Sequence, residues 1–113
     1  MSTQLLDDKK NPFPTYAKVP GGTVVLTVTS SVAVEFEPDP ALSRVVQYEI
    51  RTTSDIRVSA HDDTHVFDSP NEPVMWAGEI DVVELGPIGT HPRTKLTMLA
   101  VSADATVTIA ALV

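Results

Sequence analysis

The chain has 113 residues, of which 42% are hydrophobic, so it holds enough apolar material for one core and amounts to a single domain. It contains no cysteine, which excludes a disulfide framework, a cysteine-ligated zinc or iron–sulfur centre and a thiol nucleophile. Fifteen acidic residues against eight basic ones give a net charge of -7, the wrong sign for replacing counterions along a phosphate backbone, so no nucleic-acid partner is expected. The longest apolar run, Ile109–Val113, falls far below the roughly 20 residues of a membrane span, and no membrane association is expected.

Residues 1–22 read as an extended N-terminal arm. Asp7-Asp8-Lys9-Lys10 is polar, Pro12, Pro14 and Pro20 fix φ and remove donors, and Gly21-Gly22 is permissive. Phe13 and Tyr16 are its large apolar anchors; the segment reads either as a disordered terminus or as an arm that docks onto a neighbouring subunit. No basic region followed by an apolar stretch marks a secretory signal.

Residues 23–113 read as one β-sandwich domain. Val and Thr supply 29 residues, both β-branched and suited to a pleated surface, and apolar positions alternate in short runs. Thr23–Thr29 places Val24, Leu26 and Val28 on one face. After Ser30-Ser31, residues 32–37 place Val32, Val34 and Phe36 inward and Glu35 and Glu37 outward, so the two runs are expected to pair as a hairpin. Pro38 and Pro40 end the second run, and Pro40–Ser43 reads as a short helical turn.

Arg44–Thr53 is the longest clean strand, with Val46, Tyr48 and Ile50 opposite Gln47, Glu49 and Arg51. Past a turn at Ser54-Asp55, Ile56, Val58 and Ala60 alternate with Arg57, Ser59 and His61. A second hairpin is expected here, with a solvated outer face. His61–Pro73 is the most polar stretch and reads as a long loop, with a short strand near Val66 and Phe67. Val74–Ala77 resumes an apolar segment that Gly78 breaks. Glu79–Leu85 is a strand whose apolar face switches between Val82 and Val83, which suggests a bulge or burial on both sides. Residues 86–92 form a loop. Thr94–Ser102, with Leu96 and Met98 on one face and Leu99 and Val101 on the other, is expected to form a final hairpin with Thr106–Val113. About eight short strands make an all-β antiparallel sandwich: a jelly roll, with an immunoglobulin-like sandwich as the alternative.

Several constellations bear on chemistry. No Lys or Arg stands between Arg57 and Arg93, whereas Asp62, Asp63, Asp68, Glu72, Glu79, Asp81 and Glu84 do. Such a run is either a solvated surface or a face for a cation or a basic partner. His61 and His65 would lie about 13 Å apart on a strand and could share a metal only if the loop folds them together with Asp68 or His91. The pattern is not a cupin His-x-His pair, and Asp62, Asp63 and Asp68 do not have the spacing of a calcium-binding EF-hand loop. No metal or other cofactor is expected. Carboxylate pairs suited to glycoside hydrolysis arise by chance in so acidic a chain. Trp76 and Tyr48 are candidates for a sugar platform but sit in strand patterns that read as core. A Ser–His–Asp triad can be drawn only on paper, from Ser59 or Ser69 and His61 or His65, without a Gly-x-Ser-x-Gly elbow. Phosphate-cradling glycine loops are lacking, and the chain is not expected to be an enzyme.

The design as a whole resembles the small all-β virion proteins of tailed phages, such as head-decoration or cement proteins. The features that carry the resemblance are a Pro-punctuated arm from Asn11-Pro12-Phe13-Pro14 to Gly22, a cysteine-free Val/Thr-rich sandwich and a last strand running to Val113. It implies a homo-oligomer, taken as a trimer, bound to a capsid or tail protein on a virion assembled in the host cytoplasm. Phe13, Tyr16, Leu99 and Val101 would then form the contact, each buried side chain contributing on the order of 1.5 to 3 kcal/mol. The alternative is a sandwich-type binding module for glycans or a protein receptor, using the 61–73 loop with His61, Asp62, Asp63, His65 and Asp68 as its surface. A third possibility is a small metal-dependent barrel enzyme built on His61, His65 and His91.

Overall fold

The computed structural model describes residues 18–38, 46–87 and 89–112, with the backbone alone at 18–20. The arm anchors Phe13 and Tyr16 and the expected helical turn at Pro40–Ser43 lie outside the described residues. Eight strands follow in chain order: β1 Lys18–Val28, β2 Val34–Phe36, β3 Val46–Thr52, β4 Ile56–His61, β5 Val74–Met75, β6 Ile80–Leu85, β7 Lys95–Ala100 and β8 Ala105–Leu112. One 3-10 turn, Ser69–Asn71, interrupts the β4–β5 connection, and the short strand expected near Val66 and Phe67 does not form. β1 starts five residues before the expected Thr23, across a register irregularity between Lys18 and Thr23.

The strands form two four-stranded antiparallel sheets, in the orders β1-β8-β3-β6 and β2-β7-β4-β5. The alternation read from the sequence sets the core. Val28, Tyr48, Ile50, Leu85, Val107 and Ile109 point inward from the first sheet and Ile56, Met75, Leu96, Met98 and Ala100 from the second. Phe36 meets Tyr48 edge-on across the core at 5.3 Å between centroids. Burial of each large aliphatic side chain contributes roughly 1.5 to 3 kcal/mol.

The pairing differs from expectation. None of the three hairpins forms: β1 pairs with β8 rather than β2, β3 with β8 and β6 rather than β4, and β7 with β2 and β4 rather than β8. The reason is local. A two-residue hairpin turn needs positive φ in its centre, usually at Gly or Asn. The glycines with positive φ are Gly21, Gly78 and Gly89, and none stands at Ser30-Ser31, Ser54-Asp55 or Ala103-Asp104. Those segments arch from one sheet to the other. They are tied together at that end by Ala100 N–H to Thr29 O (3.0 Å), Val101 N–H to Asp55 O (3.0 Å) and Thr53 N–H to Thr106 O (3.1 Å).

The β6 pattern has a similar resolution. It contains no bulge: Val83 and Leu85 face the core, and Ile80 and Val82 face solvent, 53% and 52% exposed.

Candidate functional site

The polar side chains singled out in the sequence gather on and beside the outer face of the second sheet. β4 and β7 put Arg57, Ser59 and His61 opposite Leu99, Thr97 and Lys95 there. This face is not solvated as expected, because the chain after β4 folds back over it. Ser59, His61 and Thr97 are all buried.

His61 therefore belongs to the interior rather than to the loop surface. Its Nδ1 lies 2.6 Å from the Asp62 carbonyl, which can only accept, so Nδ1 carries the hydrogen. In the neutral ring Nε2 then accepts from the Thr97 hydroxyl at 2.7 Å. The His65 ring packs against it at 5.0 Å between centroids.

Glu72 anchors the returning loop. Its carboxylate, buried at 7% exposure, accepts from the Asp68 N–H and from His65 Nε2, each at 2.8 Å, and from Ser59. Arg57 holds the same residue by its carbonyl at 2.9 Å. The Asp68 N–H does most to hold the Glu72 carboxyl below the ordinary glutamate value of 4.5; His65 and Ser59 add to this against the opposing cost of burial.

These contacts depart from the geometry of a Ser–His–Asp triad. A triad needs the imidazole between hydroxyl and carboxylate. Here Glu72 stands between Ser59 and His65, and His61 is engaged by Thr97 and its neighbour's carbonyl. The fold does bring His61 and His65 together, but each Nε2 is taken by another side chain. Among the described residues no group of three His, Asp or Glu side chains is placed to hold a metal ion.

Beside this cluster lies an open trough of about 360 Å³, lined by Asp62, Asp63, Thr64, Gly89, Thr90, His91 and Thr94. Asp62 forms one wall by an Asx-type turn, accepting from Thr64 N–H (2.9 Å) and Thr64 Oγ1 (2.6 Å), which holds its carboxyl below the usual aspartate value. Asp63 pairs with Lys95 Nζ at 2.7 Å, and Glu35 lies 3.7 Å from the same ammonium; Asp63 is the main cause of the raised Lys95 value. His91 forms the far wall, its Nδ1 2.9 Å from the carbonyl and 3.0 Å from the N–H of Arg93. A Cβ at Gly86 would run into the His91 ring, so glycine is required for His91 to sit there. The trough offers carboxylates, hydroxyls and one imidazole, with no aromatic floor.

Of the other expected site residues, Asp68 is exposed and accepts from Asn71 Nδ2 at 2.6 Å. Leu99 is half-buried on the outer face of the second sheet, and Val101 stands past the end of β7 in the turn to β8, 44% exposed. Trp76 departs from the core reading. It is 57% exposed in the β5–β6 turn, where its backbone N–H donates to Glu79 Oε1 at 2.6 Å and its carbonyl accepts from the Glu79 backbone N–H at 3.0 Å. Tyr48 is core, at 3% exposure.

Compared with protein-family models, curated proteins and solved structures, the chain finds no match in any of the three.

Proposed function

We propose that the chain is a structural protein of a virus particle, a capsid decoration or accessory virion component that works by self-association and binding to a particle surface. The observation that carries this reading is the strand order. β1 pairs with β8, β2 with β7, β3 with β6 and β4 with β5, so the chain is one long antiparallel ribbon wrapped into two sheets. We read this as a jelly roll, the sandwich that capsid and lectin domains share. It departs from an immunoglobulin-like order, in which several sequence neighbours pair. Only β4 and β5 do so among the described strands.

Between the capsid and lectin uses, the chemistry of the trough favours the first. A sugar site commonly stacks an aromatic ring on the sugar face, and neither Trp76 nor Tyr48 lines the trough. The second reading, a binding module, keeps one observation in its favour: the trough includes Asp62, Asp63 and Thr64 of the 61–73 loop and presents acceptors suited to hydroxyl groups.

Light scattering after size-exclusion chromatography, followed by sedimentation with undecorated tailed-phage heads, tests the proposal. An oligomer that co-sediments and saturates at a fixed number of copies per shell supports it. A strict monomer at micromolar concentration that stays in the supernatant overturns it. A specific glycan-array signal lost on replacing residues 62–72 would establish the binding module instead.

A further inference from the structure

The edges of the two sheets are protected unequally. An edge strand exposes unpaired N–H and C=O groups, and proteins blunt such edges with charges, prolines, bulges or brevity. β2 has three residues, with Glu35 in its middle and Glu37 just past its end; β5 has two. β6 is longer but carries exposed Asp81 and Glu84, with exposed Glu79 just before it. The start of β1 is interrupted by Pro20, by Gly21 at φ 74 and by the register irregularity.

Thr23–Val28 has none of these devices. It is in continuous register with β8 on one side, and no described strand pairs with it on the other. It lies within Val19–Val34, sixteen residues without a charge in a chain of net charge -7. Val25, on its outer face, is 63% exposed, and Thr23, Val24 and Thr27 are exposed with it.

We propose that Thr23–Val28 pairs antiparallel with the same segment of a second copy, joining two first sheets into one of eight strands. The inference rests on the self-association proposed above and names its contact. Charge decides the occupant. Two copies at -7 repel, and the uncharged edge is where they approach at least cost. In the joined sheet the two acidic β6 strands stand seven strand spacings apart, about 34 Å, several Debye lengths at physiological salt. Pairing through β6 would bring its carboxylates together across the seam instead.

Register follows from the pleat. Opposed residues must share a face, so the twofold axis passes through a residue rather than between two. Centred on Val25, it sets Val25 against Val25 and Thr23 against Thr27. Centred on Leu26, it sets Val25 against Thr27. Both place β-branched pairs on the outer face, a favourable cross-strand combination. In a larger assembly this pair is the repeating unit.

Sedimentation velocity on the full chain across the micromolar range tests the contact. Wild type is expected at twice 12.1 kDa. The double variant Val25→Lys/Thr27→Lys, at exposed positions, sets like charges across the axis and is expected to weaken association by about 100-fold or more. Ile80→Lys/Val82→Lys, at the opposite edge, is expected to leave it unchanged. A wild-type monomer throughout overturns both this inference and the self-association it rests on. A wild-type oligomer untouched by the β1 substitutions, in a variant whose circular dichroism is native, overturns this inference alone. Should the lysine variant fail to fold, Val25→Cys/Thr27→Cys decides in a chain without other thiols: an intermolecular disulfide on mild oxidation supports the pairing, and its absence overturns it.

Discussion

The two outer faces of the sandwich are built from similar strands and meet different fates. On the second sheet the chain after β4 folds back and seals Ser59, His61 and Thr97 beneath it, each with a hydrogen-bond partner. On the first sheet Val25, Ile80 and Val82 stand at 52% exposure or more beside Glu49 and Arg51, which pair at 2.9 Å. Polar groups are thus inside on one face and apolar groups outside on the other. Burial here is decided by the connections that cross a strand more than by its own composition.

The sharpest way to break this contrast is at His61. Its replacement by alanine leaves a cavity and strips the Thr97 hydroxyl and the Asp62 carbonyl of their partner. The expected cost is about 2 to 4 kcal/mol in urea unfolding, with unchanged m-value. A cost under about 1 kcal/mol would mean that the covering loop can settle without the imidazole.

Glu72 should matter somewhat less. Glu72→Gln keeps the shape but loses the charge on which the Asp68 and His65 donors converge, and is expected to cost about 1 to 2 kcal/mol. It also supplies the pH test. A carboxyl held below its unfolded value stabilises the fold above that value and loses its contribution as pH falls through the lower, folded one. Wild-type melting temperature should therefore drop as pH falls below 4.5, and the Gln variant should show a shallower fall. Equal slopes would remove Glu72 as the anchor.

The smallest effect belongs to the exposed β6 side of the first sheet's outer face. Val82→Thr keeps the β-branch and touches no core residue, so stability should stay within about 0.5 kcal/mol in the same unfolding assay. A larger loss would show that the outer face is covered in solution at Val82 too.

Much of the architecture could be read from residues alone. The alternation at Val46, Tyr48 and Ile50, or at Leu96 and Met98, states which side chains face the core, and all five are buried. Alternation is silent on partners, because an inward residue looks the same from either sheet. The signal that separates arches from hairpins was nonetheless present: the segments at Ser30-Ser31, Ser54-Asp55 and Ala103-Asp104 lack glycine and asparagine.

The polar cluster was less legible. His61 and Ser59 alternate with apolar residues as solvent-facing positions do, and only the distant Glu72 and Thr97 reveal that they are enclosed. Trp76 misled in the opposite sense, since it follows Val74 and Met75 in an apolar run while standing in the turn before Gly78.

The wrapped ribbon also sets an order of events during synthesis. β1 is made early, yet its neighbour β8 is formed by residues 105–112, and β8 is also the strand that joins β1 to β3. Until residues 105–112 leave the ribosome, the first sheet lacks a central strand and the uncharged Thr23–Val28 segment of β1 lacks its β8 partner. Such long-range closure folds slowly and leaves the nascent chain open to misassociation. Truncation before residue 105 would accordingly cut β1 off from the β3–β6 pair, not trim one edge from the sheet.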